Sequence, residues 1–144
     1  MKISTKGRYG LRAMIDLSMH AGGGYVSLSS IAERQGLSSG YLEGIFSSLK
    51  KSGLVIGSAG SQGGYVPALP ADRITAAMIL GALEGSMSLT DGADEGTTEL
   101  RAFLTRRVWD LVDGAVAGLL RETTVADMIR EFENREQAVD SSGL

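Results

Sequence analysis

The sequence predicts a mainly α fold with one small β-hairpin and a long helix towards the carboxyl end. Three observations carry this. Apolar residues recur at three- and four-residue steps in several separate segments. One glycine-rich, uncharged stretch, GSAGSQGGY at 57–65, stands between two short apolar runs. The longest periodic segment, from about Thr98 to Arg121, would form a helix of roughly 35 Å at about 1.5 Å per residue.

At 144 residues, the chain reads as one domain with an appendage. Its 43% apolar and 22% charged residues suit a globular protein. No cysteine is present, which removes disulfides, thiolate metal ligands and thiol nucleophiles together. The first residues, MKISTKGRYG, lack the apolar core of a signal peptide, and no apolar run is long enough to span a bilayer. The expectation is a cytoplasmic protein without membrane contact. Charge is split unevenly. Residues 1–73 carry eight Lys/Arg against four acids, a net +4; residues 74–144 carry six bases against thirteen acids, a net −7. One half is suited to meet a polyanion, although uneven scatter gives the same split by chance.

The first helix starts at a Ser4 or Thr5 cap, with Leu11, Met14, Ile15 and Ser18 on one face. Ala21-Gly22-Gly23-Gly24 ends it. His20, the single histidine, sits beside that stop and reads as a partner of the helix dipole, because it has no companion for a metal site. Ser27 caps a short helix with Leu28, Ile31 and Ala32 inward, closed at Gln35-Gly36. Ser38 caps another whose buried stripe is Leu42, Ile45, Phe46 and Leu49, closed by Gly53. Two short helices joined by a turn containing glycine make the helix-turn-helix pattern.

Leu54-Val55-Ile56 reads as a strand, and Gly64 to Ala68 as its partner. The glycines between them do not form a phosphate cradle. No Lys follows in P-loop spacing, and Tyr65-Val66-Pro67 follows where a dinucleotide fingerprint needs a helix. Apolar runs on both sides argue against a linker, which leaves the tip of a hairpin. Beyond Pro70, Ile74 and Ile79 bracket a Thr75 cap as a hydrophobic staple, and the helix stops at Gly85. Residues 86–97 form an acidic loop that composition makes mobile.

Leu100, Leu104, Val108, Leu111, Ala115 and Leu119 then line one helical face, widened by Phe103, Trp109, Val112, Val116 and Leu120. A face longer than the domain beneath it meets another copy, so those six residues are the expected dimer interface. A final helix, capped at Thr124 with Asp127 three residues on, can also cover part of that face with Val125, Met128, Ile129 and Phe132. The tail at 137–144 reads as disordered. The expected organisation is a winged helix-turn-helix DNA-binding domain at 1–85, the loop at 86–97, a dimerisation region at 98–136 and the tail.

Helix, helix-turn-helix and glycine-tipped hairpin follow the winged-helix order. The chain also resembles the Rrf2 family of bacterial winged-helix transcription regulators. The resemblance rests on MKISTKGRYGLRAMIDL, VSLSSIAERQGLSSGYLEGIFSSLKKSGLV, GGY at 63–65 and ITAAMILGALEG at 74–85. It is close over about the first 85 residues and continues beyond them mainly as helix order. It implies a homodimer joined through the long helix and bound to an imperfect palindrome of double-stranded DNA. IscR-like and NsrR-like members hold an iron–sulfur cluster with cysteines in the loop before that helix. This chain has none, so the cluster-free, CymR-like branch is the better comparison and no cofactor is expected. Many members also carry a wing Arg where this chain has Ser58-Ala59-Gly60.

The expected phosphate contacts are Lys6, Arg8, Lys50, Lys51 and the hydroxyls of Thr5, Ser38 and Tyr41, with Ser58, Ser61 and Gln62 donating from the wing. The resemblance adds Tyr9, which otherwise packs the first helix. Ser39, Gly40, Tyr41 and Glu43 face the bases, Glu43 accepting from a cytosine amino group. Lys50 and Lys51 also suit a solvated helix end. The expected function is a homodimeric transcription regulator, acting as a repressor. The alternative is a regulator working mainly through a metabolic enzyme partner. An enzyme is not expected, because no nucleophile–base pair or metal-ligand set stands out. A small-molecule or protein effector is open, with the cleft between the winged domain and the long helix as its expected place.

Overall fold

The computed structural model describes residues 2–60, 63–90 and 98–142, with the backbone alone at 136 and from 138 onward. The chain begins with α1 (Thr5–His20), α2 (Leu28–Gln35) and α3 (Ser39–Lys51). The hairpin of β1 (Val55–Ser58) and β2 (Gly64–Pro67) follows, then α4 (Ala76–Leu83). The carboxyl half holds α5 (Glu99–Leu104), a π-helical stretch (Thr105–Trp109), α6 (Asp110–Glu122) and α7 (Val125–Ser142). None of the described helices is long and apolar enough to cross a membrane.

Side-chain caps set the helix starts. The hydroxyl oxygens of Ser4, Ser27, Ser38, Thr75 and Thr98 each accept from a backbone N–H three residues on. Thr124 and Asp127 cap α7 reciprocally, each side chain accepting from the other's N–H at 3.0 and 3.3 Å. Each such cap stabilises its helix by about 1 kcal/mol. Gly36 (φ 66°) and Gly53 (φ 77°) take the left-handed conformation that lets the chain leave α2 and α3 sharply.

The core lies under α3. Leu42, Ile45, Phe46 and Leu49 are buried against Met14 and Leu17 of α1, Ile31 of α2, and Ile74, Ile79 and Leu83. The hairpin is antiparallel, with Val55 opposite Pro67 and Ser58 opposite Gly64. Beyond the sequence expectation, Val26 bridges Tyr65, exchanging N–H···O bonds of 2.9 Å in both directions. The hairpin base is thereby fixed to the segment before α2, and Tyr65 lays its ring on Phe46 with centroids 4.9 Å apart.

Three differences from expectation concern the carboxyl half. The long helix widens into π geometry at 105–109, where the Thr105 hydroxyl donates to the Arg101 carbonyl at 3.0 Å. A hydroxyl bonded back into the preceding turn disturbs regular α spacing. Secondly, α7 does not cover the outer face of the long helix. Thr75 bridges Thr124, Val125 donates to the Ile74 carbonyl at 2.8 Å, and Val125 is fully buried. This reversal turns α7 onto the main core, which Met128 and Ile129 join. Thirdly, the α7 backbone stays helical to Ser142, past the point where composition ends it at 136. Its Glu-, Arg- and Ala-containing final turns favour helix despite their polarity. Of the loop at 86–97, residues 91–97 lie outside the described residues. Before them, Leu89 donates its N–H to Asp113 of α6 at 2.9 Å.

Candidate nucleic-acid interface

The first turn of α3 is polar and solvent-facing. Ser38 accepts from the Tyr41 N–H at 3.1 Å, so its hydroxyl is used in capping. Ser39, Gly40 and Glu43 are exposed, and Tyr41 is 39% exposed despite its size. Beneath it, Tyr9 of α1 meets the Tyr41 ring edge-on, with centroids 5.7 Å apart and planes at 72°. That geometry suits the ring quadrupoles and holds Tyr41 at the surface. Tyr9 is half-buried, with the guanidinium of Arg12 over its ring at 5.1 Å and that of Arg8 at 5.9 Å.

Arg8 donates to the Thr5 hydroxyl at 3.2 Å. Lys6 crosses to α3 and donates to the Ser48 hydroxyl at 2.9 Å, so its stem is half-buried while its charge stays at the junction of the two helices. At the far end of α3, Lys50 and Lys51 are exposed. Lys50 lines an open groove of about 500 Å³ with Leu28, the Gly57–Gly60 stretch and Gly63 to Tyr65. The structure thus brings Lys50 and Ser58 to one groove beside the wing. Ser61 and Gln62 lie outside the described residues.

Two features escaped sequence reasoning. Ser4 gives both its backbone N–H (2.9 Å) and its hydroxyl (2.7 Å) to Glu84, tying the start of α1 to the end of α4. Asp16, 3% exposed, accepts from Arg34 Nη2 at 2.7 Å, Arg34 Nε at 3.0 Å and Gln35 Nε2 at 2.7 Å. Burial pushes the Asp16 carboxyl up, but the hydrogen bonds from Arg34 and Gln35 and the charges of Arg34 and His20 outweigh it. The net effect holds it below the usual carboxylate value. The helical spacing of Asp16 hinted at an inward position, but its partners come from the next helix. His20 sits at the α1 terminus with Nδ1 2.8 Å from the Asp16 carbonyl oxygen, in keeping with its reading as a helix-end residue.

The six residues expected at a dimer interface divide by exposure. Leu100 (66%), Leu111 (58%) and Leu119 (65%) are open to solvent, and Ala115 is exposed with them. Leu104 and Val108 are half-buried. Phe103 and Val112 add to the open surface. Val116 and Leu120, grouped by sequence with the same face, instead line a cleft facing Ala77 of α4.

The profile of the Rrf2 family, described as an iron-dependent transcriptional regulator, matches residues 3–131. The chain is 39% identical to the HTH-type transcriptional regulator CymR of Bacillus subtilis over 138 residues, covering 96% of each protein. It is 36% identical to the HTH-type transcriptional regulator IscR of Aliivibrio salmonicida over 150 residues, covering 98% of this chain and 89% of that one. The solved structure of B. subtilis CymR, the global cysteine regulator of that organism, superposes with a TM-score of 0.78 at 40% identity, over 91% of this chain and 98% of the other. The family description names iron, but these 144 residues offer no thiolate. Among the described residues no three His, Asp or Glu side chains gather as a metal site. The donor set therefore does not fit a cysteine-held cluster. With its mainly helical architecture, its two-stranded wing and its match over nearly the whole length, the chain belongs to the Rrf2 family of helix-turn-helix transcriptional regulators.

Proposed function

We propose that the chain is a homodimeric, sequence-specific DNA-binding repressor that works without an iron–sulfur cluster. Residues 1–85 form the reading head, and 98–136 the clasp between two copies. The observation that carries this reading is the exposed polar first turn of α3, braced by Tyr9 of α1, with Lys6 held at Ser48 and Lys50 beside the wing towards the other end of the same helix. A helix entering the major groove presents its N-terminal residues to base edges. Ser39, Gly40, Tyr41 and Glu43 stand there. Lys6, Arg8, Lys50, Lys51, Thr5, Tyr9, Ser38 and Ser58 then contact the backbone that flanks the groove, with Ser61 and Gln62 extending the wing contact. The open Leu100, Leu111 and Leu119 side chains support self-association, because apolar area of this kind is costly to leave in water.

The test is retardation of the protein's own promoter fragments at moderate salt, with and without cell extract. Retardation by the purified protein, competed poorly by unrelated DNA, supports the reading. Retardation only with extract points to the partner-dependent alternative, and none under either condition sinks the reading. Repression is checked by transcription from the same fragments, which the protein should lower.

A further inference from the structure

A cavity of about 490 Å³ opens where α1, the end of α2 and α7 meet. It is more than twice the size of the cleft between α4 and α6, about 220 Å³, where the sequence reading placed an effector. Its walls are Ile15, Met19, Met128 and Phe132; its rim carries Arg12, Asp16, His20, Arg34 and Gln35. Volume and lining suit a small organic ligand, since such sites combine apolar walls with a few polar groups that fix orientation.

The rim selects the charge of that ligand. The carboxylate of Asp16 is occupied by Arg34 and Gln35, so it neutralises Arg34 and offers little to a cation. Arg12 donates to a backbone carbonyl, that of Gln35, at 3.1 Å, and lies over the Tyr9 ring. Among the described residues no carboxylate faces it at ion-pair distance. The rim thus keeps the Arg12 guanidinium uncompensated beside apolar walls, with the Arg135 guanidinium over the Phe132 ring at 5.3 Å adding positive charge nearby, and a planar fork of donors matches a carboxylate better than a point charge would.

Arg12 also connects this chamber to the DNA-facing surface. Gln35 is the last residue of α2, immediately before the turn at Gly36. Tyr9, under Arg12, braces Tyr41 on the first turn of α3. A ligand that draws Arg12 inward weakens both contacts at once. We propose that this cavity is an effector site for a small organic carboxylate with an aromatic or branched apolar body. Arg12 holds the carboxylate, and Met19, Met128 and Phe132 hold the body. Occupancy is relayed through Tyr9 to Tyr41. The relay, though not the binding, rests on the reading of α3 as the DNA-recognition helix.

The test uses the full chain with ¹³C-labelled methionine methyls, titrated with phenylacetate, isovalerate and indoleacetate and with the neutral amide of each. At least one carboxylate should move the Met19 and Met128 resonances and not that of Met87, which lines the other cleft. Its amide should bind about tenfold more weakly or worse, and Arg12→Gln should abolish that preference, a tenfold change being what one well-placed charged contact is worth. An unmoved Met14 resonance reports an intact core in the variant. The same carboxylate should change the midpoint of DNA retardation in the wild type but not in Arg12→Gln. The site is overturned if no probe moves Met19 or Met128, if Met87 responds in their place, or if amide and acid bind alike. Ligand binding with unchanged DNA affinity overturns the relay. Binding is read on the free protein, so a protein that retards no DNA leaves the occupancy result standing on its own.

Discussion

Arg34, near the end of α2, closes on Asp16 of α1 with Nη2 2.7 Å from Oδ1 and Nε 3.0 Å from Oδ2. The pair is asymmetric. The aspartate side chain is 2% exposed, while the arginine keeps 34% of its own surface in water. It locks the first helix of the helix-turn-helix unit onto α1, while α3 is held there by its buried stripe and by the Lys6–Ser48 hydrogen bond.

Removing the carboxylate leaves Arg34 and Gln35 without their shared acceptor. Asp16→Ala should destabilise the fold by about 2 kcal/mol, below the range for fully buried pairs because Arg34 is partly solvated. Urea unfolding measures this, and a shift under a few tenths would show that water replaces the contact. The pH dependence has a definite sign. The folded carboxyl titrates below the unfolded value of 3.8. Its contribution is therefore complete above that value and is lost as pH falls through the lower folded one. The stability gap between wild type and Asp16→Asn should narrow as pH falls below about 4.

The wing base has no space for a side chain at Gly64. A Cβ there would run into the backbone of Val26, across the bridge that anchors Tyr65. Gly64→Ala should cost about 1–3 kcal/mol, since rigid backbone blocks the added atom. Tyr65 should also lose its contact with Phe46, read as faster amide exchange at Val26 and Tyr65. An unchanged exchange rate would refute the steric argument.

On the proposed DNA-binding surface, charge and base recognition should separate. Lys6→Ala should weaken binding to all sequences similarly and reduce the salt slope by about one. Glu43→Ala should instead relax base preference while nonspecific affinity holds or rises, because a carboxylate repels phosphate. Equal loss of specific and nonspecific affinity in Glu43→Ala would remove it from base reading. Fluorescence anisotropy on specific and scrambled duplexes over a salt series decides both.

Self-association is open to a single substitution. Leu119 is 65% exposed in one chain, so Leu119→Glu leaves the monomer's packing intact. It should shift the sedimentation mass from two chains to one and lower affinity for a palindrome far more than for a half-site. A wild type that sediments as one chain at micromolar concentration would dispose of the dimer.

Element order was legible in the sequence because its signals are local. Hydroxyl caps at Ser4, Ser27, Ser38, Thr75 and Thr124 stand at the helix starts they announce, and Gly36 and Gly53 stand at the stops. A cap bonds a group three residues away, and a stripe at three- and four-residue spacing has one way to face a core, so neither depends on distant chain. The core stripe Leu42, Ile45, Phe46 and Leu49 follows from the same periodicity.

Which surface meets which was decided only by the tertiary structure. Val116 and Leu120 share their helix with Leu111 and Leu119, yet they line the cleft beside α4 while the others stay open. Period alone cannot divide a wide apolar stripe between two neighbours. The direction of α7 depends on the Thr75–Thr124 bridge, 49 positions apart in the chain. The Arg34–Asp16 pair and the Tyr9–Tyr41 contact likewise join residues that only packing makes adjacent. Local chemistry fixed the helices and the wing; long-range contacts, which no short window of sequence contains, placed the cavity, the open apolar face and the brace beneath Tyr41.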